Sequence, residues 1–258
     1  MQRATGTLTT HGLVGSVRRL GRVLAFGALA AGCTASGGDE SILVLKNVAP
    51  PAGATGGVCT FSASESEPVL VHGVLDTSAG TGYEFTAQLK SRITADTGQD
   101  DQRTIFVRGA NVDLAFSDSS AVTAAELADL QSKNLLHFMA PFSAPLPPNG
   151  GIADTSFELI PAEIAALLDA KAGFTTTALE ATFTVVGELA GDNVSSQVFH
   201  YSVTLGHAIL LANRGPCASL PSTFTARTGN ACFPGQDFAI DCCTDGATPV
   251  CPAVATGM

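Results

Sequence analysis

The chain has 258 residues, 45% of them hydrophobic and 14% charged, enough apolar material for the core of one large domain. Its net charge is −10, but Arg3, Arg18, Arg19 and Arg22 all precede the first acidic residue, Asp39, so removing residues 1–32 leaves nine basic and twenty-three acidic side chains, a net charge of −14. Such a surface repels phosphate backbones and no Lys/Arg cluster follows residue 33, which excludes nucleic acid as a partner; with no Trp and only Tyr83 and Tyr201, aromatic platforms for glycans or single strands are also disfavoured.

In chain order, a cationic, polar stretch over residues 1–22 is followed by a ten-residue apolar run, Val23 to Gly32. That is the layout of an export signal, and the run is too short to span a bilayer. The run ends in Leu29-Ala30-Ala31-Gly32-Cys33, which resembles the bacterial lipobox. The resemblance implies a signal peptide over residues 1–32, removed before Cys33, and a cysteine carrying acyl chains. The lipobox usually has Leu three places before its cysteine, where this chain has Ala30. Acyl burial contributes about 0.8 kcal/mol per CH₂, so several chains anchor a protein stably. The segment 33–40 is small and polar, suited to a flexible tether. Thr34 after the lipid site implies, by the same resemblance, the outer membrane.

From residue 41 onward, alternation of Val, Ile, Thr and Phe with Gly/Pro/Asn/Asp punctuation predicts strands. Ser41–Val48 is the first, then Val58–Ser62 and Val69–Asp76, separated by the acidic loop "ASESEP". Tyr83, Phe85, Ala87 and Leu89 alternate with polar residues and face one side. Thr104–Arg108 and Val112–Phe116 flank Gly109-Ala110-Asn111, which reads as a bend or hairpin. Ala124–Leu135 is a candidate helix. Pro161–Ala172 is a second, with Pro161 at its first position, Glu163 at its positive end, Gly173 beyond it and a stripe of Ile164, Leu167 and Leu168. Leu179, Ala181, Phe183, Val185 and Leu189 lead into Gly191-Asp192-Asn193 and return through Phe199, Tyr201, Val203 and Leu205, a hairpin. The pattern predicts an all-β fold: an antiparallel, immunoglobulin-like β-sandwich over residues 41–214 with one or two short helices.

Residues 215–258 read as a disulfide-stapled tail. Setting Cys33 aside, Cys59, Cys217, Cys232, Cys242, Cys243 and Cys251 form an even set, the disulfide signature of an exported chain. Six cysteines allow fifteen pairings; excluding a strained bond between the neighbours Cys242 and Cys243 leaves about twelve. Since Cys59 stands alone in the sandwich, some tail cysteine must reach back to it if all six are paired. No Cys-x₂-Cys spacing occurs and no histidine lies beyond His207, so a zinc site is not expected.

The familiar nucleophile-elbow, zinc-protease, phosphate-loop and calcium-loop patterns are absent. His200 falls on the polar face of its strand, and its spacing from His207 puts the two on opposite faces. Asp237, Asp241 and Asp245 form an acidic cluster that reads first as turn chemistry and second as calcium ligands. The tail "CFPGQDFAIDCC" (232–243) and the hairpin "ATFTVVGELAGDNVSSQVFHYSVTL" (181–205) resemble a group of Gram-negative bacterial lipoproteins. Those share the lipobox, a small-residue tether, a β domain and a Cys-rich end. In that group the strand after the hairpin often carries cysteines, where this chain has Gly206-His207-Ala208. The resemblance implies a location in the cell envelope and an architecture, without a mechanism. The expected function is a lipid-anchored outer-membrane or cell-surface structural or interaction module, non-enzymatic and without cofactor. Its expected partners are the membrane and an envelope protein. The alternatives are a ligand- or calcium-binding lipoprotein and an enzyme whose site is assembled from distant loops.

Overall fold

The computed structural model describes residues 40–51, 59–96, 98 and 103–252. Cys33, the tether before residue 40, Val58 and the Asp100-Asp101 loop lie outside the described residues. The protein is mostly β, arranged as two larger sheets around one core and a third, small sheet in the tail.

The first sheet has the order β2-β1-β4-β7, with β1 Ile42–Val48, β2 Val69–Leu70, β4 Tyr83–Ser91 and β7 Ile152–Ile160. The second runs β3-β10-β8-β5-β6. It comprises β3 Gly73–Asp76, β5 Ile105–Phe116, β6 His137–Leu146, β8 Thr176–Leu189 and β10 Phe199–Gly206. A short β9, Asp192–Ser195, pairs with the end of β8. The tail sheet holds β11 Leu211–Pro216, β12 Ile240–Asp245 and β13 Thr248–Val250. Its first strand begins before Arg214.

The alternation read from β4 is observed: Tyr83, Phe85, Ala87 and Leu89 are fully buried. Phe85 is the hub of the core. Its ring centroid lies 4.9 Å from Tyr201, 5.1 Å from Phe183, 5.6 Å from Phe157 and 5.8 Å from Phe199. Phe157 comes from the first sheet and the other three from the second, so one cluster of rings joins the two layers. The hairpin is also observed, with Phe183 opposite Phe199 and Leu179 opposite Val203. Its turn is Ala190-Gly191, both at positive φ (52° and 93°), as a tight hairpin connection requires. β9 then continues the pairing with β8 before Ser196–Val198 resets the chain for β10.

Several expectations need correction. The sandwich is not purely antiparallel, since β3 runs parallel to β10, and in the tail sheet β11 runs parallel to β12. Residues 59–62 form no strand; Cys59 is bonded to Cys232 and Phe61 stacks on Phe233, so this segment follows the tail. Val69–Asp76 is two strands, because the chain leaves the first sheet at Leu70 and enters the second at Gly73. Residues 105–116 are one strand with a bulge at Arg108 and Gly109, where the register slips against both β6 and β8. The slip moves the inward set from Ile105 and Val107 to Ala110, Val112 and Leu114, which is why the sequence imitates two strands and a bend. Gly109 is required there, since a Cβ would stand 2.5 Å from the Ala140 carbonyl oxygen.

Strands β6 and β7 are not anticipated by the alternation. β6 carries Pro141 and Pro145, and β7 keeps polar residues on its half-covered face. Both expected helices form, in shorter versions. α1 is Ala124–Ser132, started by a capping box in which Thr123 and Glu126 exchange hydrogen bonds. α2 is Ala162–Asp169, with Pro161 as its N-cap rather than its first helical residue. Ile164 and Leu168 on α2 are buried and Leu167 half-buried.

Candidate functional site

The densest polar chemistry lies where the tail crosses the end of the sandwich. The tail segment Gly235–Asp237 runs beside β3: Asp76 donates its N–H to the Gly235 carbonyl at 2.8 Å, and Asp237 donates its N–H to the Val74 carbonyl at 2.8 Å. Gln236 is buried and brackets β4, accepting from the Glu84 N–H and donating to the Glu84 carbonyl, both at 2.9 Å.

Asp237, held at φ 65°, turns its carboxylate inward. It accepts from the Tyr83 hydroxyl at 3.1 and 3.2 Å, from the Val74 N–H at 3.0 Å and from the Gln236 amide at 3.3 Å. Behind it, the Tyr83 and Tyr201 oxygens are 3.1 Å apart, and the Asn47 amide donates to both at 3.2 and 2.9 Å. With Tyr83 donating to the carboxylate, the Tyr201 hydroxyl donates to Tyr83, so the donors run in one direction from Asn47 to Asp237. Burial pushes the Asp237 carboxyl up to about 6 against the opposing pull of its donors and of His72. Burial, reinforced by the Asp237 charge, holds the Tyr83 proton far above its ordinary value. Burial likewise pushes Tyr201 up to about 12. Both phenols therefore stay neutral donors.

Two further clusters flank this network. The buried Asp76 accepts from the Ser78 N–H and hydroxyl and from the Ala208 and Leu210 N–H groups, at 2.6–3.2 Å. Asp169, at the end of α2, accepts from the Thr77 hydroxyl at 2.9 Å and pairs with His207 Nδ1 at 2.7 Å. That pairing holds the imidazole above its ordinary value and the carboxyl below its own. The Ser78 and Thr77 hydroxyls point to carboxylates rather than to the imidazole, so the cluster ties loops together. A recess of about 330 Å³ beside it is lined by Leu210, Leu211, Ile240, Pro234 and Pro252.

The three acidic tail residues are pulled apart instead of forming one cluster. Asp237 faces Tyr83. Asp241, almost fully buried, accepts from Arg227 and Arg214 at 2.7–3.0 Å. Those guanidiniums hold its carboxyl far below the usual range. Asp245 lies at the exposed end of β12. Among the described residues, no group of three or more His, Cys, Asp or Glu is placed to hold a metal ion. His200 is exposed on the outer face of β10, as its parity implies, and His207 is turned away to Asp169. The acidic loop is anchored: Lys46 donates to the Glu65 and Glu67 carbonyls, and buried Gln88 to the Ser64 carbonyl.

All six described cysteines pair: Cys59 with Cys232, Cys217 with Cys243, and Cys242 with Cys251. The neighbours 242 and 243 thus enter different bridges, and the reach back to Cys59 is made by Cys232. The Tyr83–Asp237 contact, 154 residues apart, is the functional-looking element that sequence patterns do not reveal. Its one sequence signal is that the chain's only two tyrosines both sit on inward strand positions.

Comparison with protein-family models, with curated proteins and with solved structures gives no match.

Proposed function

We propose that the chain is a lipid-anchored protein of the bacterial envelope, held at the outer membrane through Cys33. Its folded body is an immunoglobulin-like sandwich acting as a structural or interaction module, without catalysis and without cofactor. The observation that carries the reading is the cysteine pairing. Six cysteines bond among themselves, so none of them is left to oxidise with Cys33, which supports reading this seventh cysteine, at the end of an apolar run, as the acylated one. Three disulfides also fit an oxidising compartment outside the cytosol.

The order of the seven principal strands supports the immunoglobulin-like part. In the usual lettering, β1, β4 and β7 take places A, B and E on one sheet, and β6, β5, β8 and β10 take C′, C, F and G on the other. The interaction role is supported by the outer face of the second sheet. Two adjoining recesses there, of about 500 and 440 Å³, share Val186 and Ser195. Around them Met139 and Val198 are half-exposed beside Arg108 and Asn111.

Metabolic labelling with a clickable palmitate analogue tests the anchor. The natural chain is expected to take up label and partition with membranes, and Cys33→Ser to lose both. Labelled Cys33→Ser protein would overturn the proposal.

A further inference from the structure

We propose that the Asp237 carboxyl, seated on the Tyr83 hydroxyl where the tail crosses β3, is an acid-tightened clasp: residues 233–238 hold the sandwich more firmly when that carboxyl carries a proton. The clasp belongs to the folded body and operates whether or not Cys33 is acylated.

Three observations place it. First, the carboxylate is turned inward and largely covered, and among the described residues its donors are the neutral groups of Tyr83, Val74 and Gln236, with no cation in contact. A buried carboxylate with incomplete donors costs more than the acid does. Second, the groups around it do not neutralise it. Tyr83 and Tyr201 are neutral, Glu84 behind Gln236 and Asp76 at the far end of β3 are acidic, and beyond the hydrogen-bond donors His72 is the group whose charge favours the ionised form. Third, the segment it holds carries no bridge of its own between Cys232, bonded to Cys59, and the bridged Cys242 and Cys243 of β12. Between Cys232 and β12, docking is non-covalent: the Gly235 and Asp237 backbone bonds, the two Gln236–Glu84 bonds, the Thr81 hydroxyl on the Pro234 carbonyl and this carboxyl.

The sign follows from linkage. Released into water, Asp237 titrates near 3.8; docked, it titrates near 6. The docked state therefore binds the proton more tightly, and the stabilisation is complete below about pH 4 and lost as pH rises through about 6. Two pH units of displacement make the docking equilibrium about a hundred-fold weaker at neutral pH than in acid.

The test is hydrogen exchange of the oxidised full-length chain across pH 4 to 7.5, with rates corrected for intrinsic exchange. The Asp76 and Asp237 amides, which bond across the clasp, are expected to lose about a hundred-fold in protection as pH rises, while β8 amides hold theirs. Asp237→Asn should remove the trend. A trend that survives in Asp237→Asn overturns the proposal, as does flat protection in the natural chain. A carboxyl ¹³C titration of the natural chain gives a readout free of any variant: a midpoint near 6 supports the clasp and one near 4 refutes it.

Discussion

The bridge from Cys59 to Cys232 is expected to be the largest single covalent contribution to stability. It spans 173 residues of sequence, against 26 for Cys217–Cys243 and 9 for Cys242–Cys251. Closing a loop of that length in the unfolded chain removes about 17 cal/mol/K, or about 5 kcal/mol at 25 °C; the two shorter loops give about 3.5 and about 2.6 kcal/mol. The decisive comparison is between Cys59→Ala/Cys232→Ala and Cys242→Ala/Cys251→Ala, each unfolded in urea with the remaining bridges intact. The first pair should lose about 2.5 kcal/mol more than the second, offset slightly because Cys242 is the more buried of the residues replaced. Equal losses, or a greater loss for the short loop, would refute the loop-entropy reasoning and point to native-state contacts instead.

Two further outcomes follow from the core and the first sheet. Phe85→Ala removes the ring that four others touch and should cost about 3–5 kcal/mol in denaturant unfolding; a cost below 1 would mean the ring cluster is not the joint between sheets. Glu84 lies directly opposite Glu158, and burial, together with that neighbour's charge, raises its carboxyl above the ordinary value. Its ionised form is therefore the penalised one. Glu84→Gln should gain about 0.2–1 kcal/mol at pH 7 and nothing at pH 3, read as the difference in Tm at the two values.

The parts of this fold that sequence made legible are those where one face alone is buried. β8 and β10 each alternate, and their pairing follows from that period, whereas the turn falls one residue earlier than expected, at Ala190-Gly191, and Asp192 and Asn193 belong to β9. β5 hid its continuity because the extra residue at Arg108 and Gly109 inverts the inward set midway. β6 and β7 were invisible for a different reason: prolines interrupt the one, and the other is covered only in part. The chain's crossing from one sheet to the other at Val71-His72 gives no periodic signal, since each half is too short to show a period. For the tail, the even cysteine count announced the bridges, but pairing depends on which loops meet in space. Asp237 illustrates the same limit. Its turn chemistry is readable locally, whereas its carboxyl's role depends on Tyr83, far away along the chain.

The docking of the tail on β3 also has a bearing on how copies of the protein behave beside one another. β3 is the last strand of its sheet, and a last strand offers a row of unused amide and carbonyl groups on which another chain can template. Gly235 and Asp237 occupy that row from within the same molecule, and at the opposite margin β6 interrupts the row with Pro141 and Pro145. One border of the larger sheet is thus covered by a bridged segment, and the strand at the other carries two residues without an amide donor. For copies crowded side by side, the Cys59–Cys232 bridge then helps to keep that strand border covered and so guards against sheet-to-sheet polymerisation.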